Sequence, residues 1–158
     1  MADQQARFIG TYEHGLDDKG RMVLPAKMRA QLSENGVVGK LDGCLGLWTP
    51  EGFVEAAGVF EDAVEDAPSP EQRERAMRAL RRFVGDAAEI TPDQQGRIVI
   101  NQRLRDYAGL GADIVITGLI GRAEIWDRAT WYAASDADDA EVARSVSELG
   151  LTGRRTAR

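Results

Sequence analysis

The 158-residue sequence predicts an α+β fold built on an internal duplication, with two strand-rich halves closing on each other as one pseudo-twofold β-barrel and helices between and after them. Three observations predict it. The stretch Asp17-Asp18-Lys19-Gly20-Arg21 returns as Asp93-Gln94-Gln95-Gly96-Arg97, each copy flanked by apolar residues. The chain matches itself around both stretches. Between the copies stand two helix starts of one form, Thr49-Pro50-Glu51 and Ser69-Pro70-Glu71.

The self-match has an offset of 76, pairing Glu13 with Glu89, Asp17 with Asp93, Gly20 with Gly96, Arg21 with Arg97, Val23 with Val99 and Arg29 with Arg105. Two inserted residues raise the offset to 78, and Val37 then pairs with Val115, Gly43 with Gly121, Trp48 with Trp126 and Phe53 with Trp131. Such self-similarity marks a repeated structural unit.

In the first copy, strands are expected at Phe8–Leu16, Arg21–Leu24, Val37–Leu41 and Cys44–Thr49, with a short helix at Ala26–Leu32. The second copy repeats them at Ala87–Thr91, Arg97–Ile100, Ile114–Thr117 and Ala123–Trp126, with a helix near Gln102–Tyr107. Each Asp-x-x-Gly-Arg stretch reads as a tight hairpin turn. The Asp accepts from backbone two residues on, and the Gly takes positive φ without steric cost. Turn chemistry does not require the Arg that follows each Gly. Four short strands cannot cover their own sheet, which is the reason for closing the halves on each other.

Of the two intervening helices, the first carries Phe53, Ala56, Ala57, Phe60 and Val64 at helical spacing, with an acidic run from Glu51 to Asp66 on its outside. The second places Met77, Leu80, Phe83 and Val84 on one stripe, surrounded by Arg73, Arg75, Arg78, Arg81 and Arg82. The favoured reading is charge pairing between the two helices; the other is an interface with a neighbouring subunit. Trp131-Tyr132 and the stretch Ala137–Leu149 form a last acidic helix region, and Gly150–Arg158 reads as a basic tail.

Composition sets limits. The absence of any run of eighteen apolar residues speaks against a membrane span, and Met1–Arg7 shows no secretory signal. One cysteine, Cys44, in an apolar setting, is read as a buried small hydrophobe in a reducing, cytosolic compartment. The net charge of −6 is concentrated in Glu51–Asp66 and Asp136–Glu148, and the remainder of the chain is mildly basic. Near the first turn, Arg7, Lys19, Arg21, Lys27 and Arg29 face Glu13, Asp17 and Asp18.

The pattern Phe8-Ile9-Gly10, Leu16-Asp17-x-Lys19-Gly20-Arg21, Pro25 and Arg29, then Asp93-x-x-Gly96-Arg97, Tyr107-Ala108-Gly109-Leu110 and Glu124-Ile125-Trp126 resembles the MraZ family of bacterial transcriptional regulators over nearly the whole chain. The resemblance implies a double AbrB-type swapped-hairpin β-barrel formed within one chain, with repeats at 7–53 and 84–131, a helical connection at 54–83 and a C-terminal helix and tail at 132–158. It implies assembly into a homo-oligomeric ring. It also implies binding of double-stranded DNA at direct repeats in the promoter of the division and cell-wall gene cluster, and a cytoplasmic, nucleoid-associated location. The family's DNA-contacting motif falls on Asp17, Lys19, Gly20 and Arg21, and on Asp93, Gly96 and Arg97. The second copy departs at Gln95, where the first has Lys19, and at Asn101, where the first has Pro25. The residues before Phe8 read as a dispensable extension.

Arg21 and Arg97 suit bidentate contact with guanine O6 and N7 or with phosphate, Lys19 suits phosphate, and Asp17 and Asp93 suit holding the turn and the Arg. No enzyme is expected, and no cofactor or metal. His14 stands without a second metal ligand or a nucleophile, no glycine-rich phosphate loop is present, and Trp48, Trp126 and Trp131 read as core. A protein-binding scaffold built on the same hairpins is the competing function, and its contacts would respond less to salt than DNA contacts do.

Overall fold

The computed structural model describes residues 6–32, 34–135 and 138–151. Residues 1–5 of the N-terminal extension, and the basic tail beyond Leu151, lie outside the described residues. The chain divides into two compact units, Met1–Arg128 and Ala129–Arg158.

In the first unit the strands are β1 (Thr11–Gly15), β2 (Arg21–Val23), β3 (Gly36–Lys40), β4 (Leu45–Trp48), β5 (Ala88–Ile90), β6 (Arg97–Val99), β7 (Asp113–Gly118) and β8 (Ala123–Asp127). Its helices are α1 (Ala26–Gln31), α2 (Pro50–Glu65), α3 (Pro70–Gly85) and α4 (Gln102–Ala108). Both expected helix starts are found. Thr49 Oγ1 accepts from Gly52 N at 3.0 Å and Ser69 Oγ from Gln72 N at 3.2 Å, each with Pro opening the helix.

The strands of the two copies alternate in a way that local reading does not give. Six strands form one antiparallel sheet in the order β1-β7-β8-β4-β3-β5, and β2 and β6 form a separate two-stranded ribbon. Each Asp-x-x-Gly-Arg turn closes on itself, with Asp17 N donating to Arg21 O and Asp93 N to Arg97 O, but the strands then take partners from the other copy. β1 pairs with β7 and β5 with β3, while β2 pairs with β6. Equivalent residues face each other at two places, Met22 with Ile98 and Gly46 with Glu124, so the pseudo-twofold axis passes through both pairs. The expected simple hairpins are therefore corrected to exchanged pairs. The main sheet is open, with β1 and β5 at its edges, rather than a closed barrel. It stays open because β2 and β6, which follow the turns, hydrogen-bond to each other: Leu24 N donates to Gly96 O and Ile100 N to Gly20 O.

One core spans both copies. Met22 and Ile98 point inward from the ribbon onto Val38, Leu45, Leu47, Ile114, Ile116 and Ile125 of the sheet, with Met28 and Leu104 of the short helices closing the sides. Burying side chains of this size is worth about 1.5–3 kcal/mol each before entropy is counted. A second cluster joins Trp48 to the α2–α3 hairpin, where Phe83 stacks on Phe53 and Phe60 at centroid distances of 5.1 and 4.3 Å. Val84, expected on the buried stripe of α3, is 44% exposed because the helix turns Phe83 and not Val84 into this cluster.

Charge pairing between α2 and α3 is also corrected. Among the described residues no ion pair joins an acid of α2 to an arginine of α3; Arg78 and Arg81 approach Glu74 of their own helix, and Arg82 approaches Asp86. Asp86 is instead a hub, bonded to Lys40 Nζ at 2.8 Å with Arg103 at 3.4 Å, and these cations hold its carboxyl below the usual range, the Lys40 bond first. Of the three tryptophans read as core, only Trp48 is fully buried; Trp126 is half-buried with its Nε1 on Glu124, and Trp131 is half-buried. The second unit contains α6 (Asp138–Glu148) and most of α5 (Arg128–Ser135), neither of which carries a buried residue.

Candidate nucleic-acid interface

The β2–β6 ribbon is only three residues long on each strand, and strand alternation sorts its side chains into two faces. Met22 and Ile98 enter the core. Arg21, Val23, Arg97 and Val99 all point outward, with Arg21 opposite Val99 and Val23 opposite Arg97. The two arginines are thus diagonal neighbours, with Cα atoms about 7–8 Å apart by strand geometry. They also share a shallow concavity of about 390 Å³, lined with Gly15, Leu16, Asp17, Arg21, Met22, Val23 and Arg97.

The two turns have nearly the same geometry. Asp17 Oδ1 accepts from Lys19 N at 3.0 Å and Arg21 N at 2.8 Å, and its Oδ2 accepts from Arg21 Nε at 2.6 Å. Asp93 Oδ1 accepts from Gln95 N and Arg97 N, both at 2.9 Å, and its Oδ2 from Arg97 Nε at 2.8 Å. One carboxylate therefore fixes both the turn and the arginine after it. The backbone N–H of Arg21 first, then its side chain, holds the Asp17 carboxyl below the usual carboxylate range, and Arg97 does the same to Asp93.

This use of Nε decides what each guanidinium can do. The terminal amino groups of Arg21 and Arg97 have no partner among the described residues, and the side chains are 48% and 47% exposed. Two N–H groups in a plane suit a pair of acceptors, as on phosphate, carboxylate or a guanine edge. Lys19 is exposed at the tip of the first turn, where the second turn presents Gln95. Gly20 and Gly96 are buried at φ +80° and +79°. All seven residues singled out in the two motifs thus lie on or directly behind one surface.

Sequence reading missed two pairs of contributors to this surface. Val23 and Val99 are 44% and 56% exposed between the arginines. Arg105 and Arg29 lie behind Gly20 and Gly96 respectively, each from the opposite copy. Both pairs were visible as matches in the duplication, but no local rule tells which turn a helical arginine will reach. Cys44 is buried, and desolvation pushes its thiol up to about 12. His14 occupies an ordinary half-buried place on β1. Among the described residues no group of three or more His, Cys, Asp or Glu side chains is placed to hold a metal ion.

The family model described as "MraZ protein, putative antitoxin-like" matches residues 7–78 and 83–148, which takes in both turns and most of the chain. The chain belongs to the MraZ family. It is 39% identical over 147 residues to the transcriptional regulator MraZ of Clostridium botulinum, covering 91% of this chain and 99% of that protein. The transcriptional regulator MraZ of Clostridium tetani is 38% identical with the same coverage, and that of Kocuria rhizophila is 37% identical over 143 residues, covering 90% of this chain and 96% of that protein. These relatives of the MraZ family are named as regulators of transcription and not as enzymes.

Proposed function

We propose that this chain is a sequence-specific, DNA-binding transcriptional regulator that uses the β2–β6 ribbon as its reading head. The observation that carries the reading is the pair of arginines at diagonal positions, each fixed through Nε by its own Asp and each leaving two terminal amino groups outward. A two-stranded ribbon fits the major groove, which is about 12 Å wide. Arg21 and Arg97 donate to guanine O6 and N7, Lys19 meets phosphate, Gly20 and Gly96 shape the turns, and Asp17 and Asp93 orient rather than touch DNA.

The fold is read as a swapped-hairpin arrangement of the AbrB type, a barrel left open between β1 and β5, with repeats at 7–53 and 84–131 joined by helices at 54–83 and followed by helix and tail at 132–158. The exchanged pairings β1–β7, β3–β5 and β2–β6 support that reading. The targets are direct repeats in the promoter of the division and cell-wall gene cluster, and the protein acts in the cytoplasm at the nucleoid. Among the described residues no helix is long and apolar enough to cross a membrane.

A single ribbon offers few contacts and the chain has a net charge of −6, so affinity comes from several ribbons engaging repeated sites at once as a ring oligomer. The acids of α2 and the arginines of α3, which form no ion pair with each other among the described residues, supply complementary faces for neighbouring subunits. The deciding test is Arg21→Ala. The variant keeps its oligomeric size in light scattering and loses preference for the promoter repeats over a scrambled duplex, whereas wild-type binding falls steeply with salt. A variant ring that binds the repeats normally overturns the reading.

A further inference from the structure

Two arginines outside the motifs complete the reading head, and they do so crosswise. Arg29 lies in α1 of the first copy and Arg105 in α4 of the second, at matched positions of the duplication. Both are half-buried. Arg105 lies behind the first turn: a methyl group at Gly20 would stand 2.9 Å from Arg105 Nε and 3.1 Å from its Cζ. Arg105 Nη1 donates to Asp18 O at 3.3 Å, and its Nε is buried with no hydrogen-bond partner. Arg29 lies behind the second turn in the same way, where a methyl at Gly96 would strike its Nη1 and stand 3.0 Å from its Cζ.

We propose that Arg29 and Arg105 are crossed positioning residues: Arg105 sets the first turn and hence Arg21, and Arg29 sets the second turn and hence Arg97. The inference rests on the ribbon's being the DNA-reading surface. A flat guanidinium can lie against a bare glycine Cα where no branched or bulky group fits, and its stem packs along the helix as it does so. At Gly96 the guanidinium is what a methyl would meet first, and at Gly20 it stands beside the Ile100 carbonyl, so each turn glycine is bare as well as permissive in φ. Arg105 also uses its buried Nε as a packing surface, while its Nη1 donates to Asp18 O. Contact groups hold their geometry only when the shell behind them is locked; each Asp and the strand hydrogen bonds at Gly20 and Gly96 hold the turn's backbone, and the crossed arginine fills the space behind it. The exchange of strands between copies is what makes the bracing cross over. α4 follows β6, β6 pairs with β2, and so the helix of the second copy ends behind the turn of the first.

The test uses the full chain and a promoter duplex with single-base substitutions, together with amide hydrogen exchange on the free protein. Arg105→Ala weakens binding about tenfold, relaxes the same base positions as Arg21→Ala, and adds nothing further in the Arg21→Ala background. Its exchange quickens at Lys19, Gly20 and Arg21 and not at Gln95, Gly96 and Arg97; Arg29→Ala gives the mirror result. Arg105→Lys, which retains charge and folding but not the planar head, follows Arg105→Ala. Wild-type binding by Arg105→Lys, additive losses in the double variant, or a shallower salt slope with unchanged exchange would make Arg105 a plain phosphate contact and overturn the proposal. Should Arg21→Ala bind normally, the DNA reading fails by itself, and the crossed exchange pattern still decides whether the two arginines brace the turns.

Discussion

Gly20→Ala separates the two demands placed on the turn glycine. Gly20 and Gly109 both have positive φ, at +80° and +62°, but a methyl at Gly109 meets nothing within 4 Å, whereas one at Gly20 collides with the Ile100 carbonyl and the Arg105 guanidinium. Backbone strain costs an alanine about 1–2 kcal/mol at either site. Overpacking adds about 1–3 kcal/mol at Gly20 only, because the Ile100 carbonyl is backbone that accepts nothing from a methyl, and Ile100 is held in place by its own N–H donating to Gly20 O. The expected loss is therefore about 2–5 kcal/mol for Gly20→Ala against about 1–2 kcal/mol for Gly109→Ala. Urea unfolding followed by tryptophan fluorescence, at one fixed protein concentration so that assembly does not enter the comparison, reads the difference. Gly20→Ala also moves the turn that carries Arg21, so it loses repeat-specific DNA binding under conditions where it is still folded, and Gly109→Ala does not. Equal losses of stability at the two positions would refute the claim that the space behind Gly20 is filled.

Gly58, in the middle of α2 with open space for 4 Å around the point a methyl would occupy, stabilises the chain by about 0.5–1 kcal/mol when changed to Ala, since the helix gains propensity at no steric cost; an unchanged or lower urea midpoint counts against this. Asp17 and Asp93 have folded-state values below the ordinary 3.8, so the hold they exert on the turns is present above that value and lost as pH falls through the lowered values. Amide shifts of Lys19, Arg21, Gln95 and Arg97 accordingly stay level down through mildly acidic pH, and a transition centred above 3.8 contradicts the assigned hydrogen bonds. Cys44, buried and with its thiol pushed up to about 12, resists a thiol reagent in native protein at neutral pH and reacts fully in denaturant; rapid native labelling shows the site to be open.

The sequence by itself determined whatever depends on near neighbours. Asp four residues before Arg, with Gly between, is enough to close each turn and seat the guanidinium on the carboxylate, because every group involved lies within five residues. Thr49 and Ser69 each followed by Pro set the starts of α2 and α3 for the same reason. The duplication likewise announced that Met22 and Ile98, or Arg29 and Arg105, would have equivalent surroundings.

What it could not determine is which equivalent neighbour each group would meet. Tertiary structure placed β2 against β6 instead of β1, left the main sheet open, turned Val84 outward, and kept the acids of α2 away from the arginines of α3. It also sent Arg105 behind Gly20 and Arg29 behind Gly96. In a duplicated chain a strand finds nearly the same apolar pattern in its own copy and in the other, so alternation alone cannot choose between them. The choice falls to the core shared by both copies, where pairing across the pseudo-twofold axis buries Met22 and Ile98 against one sheet and brings both arginines to one face.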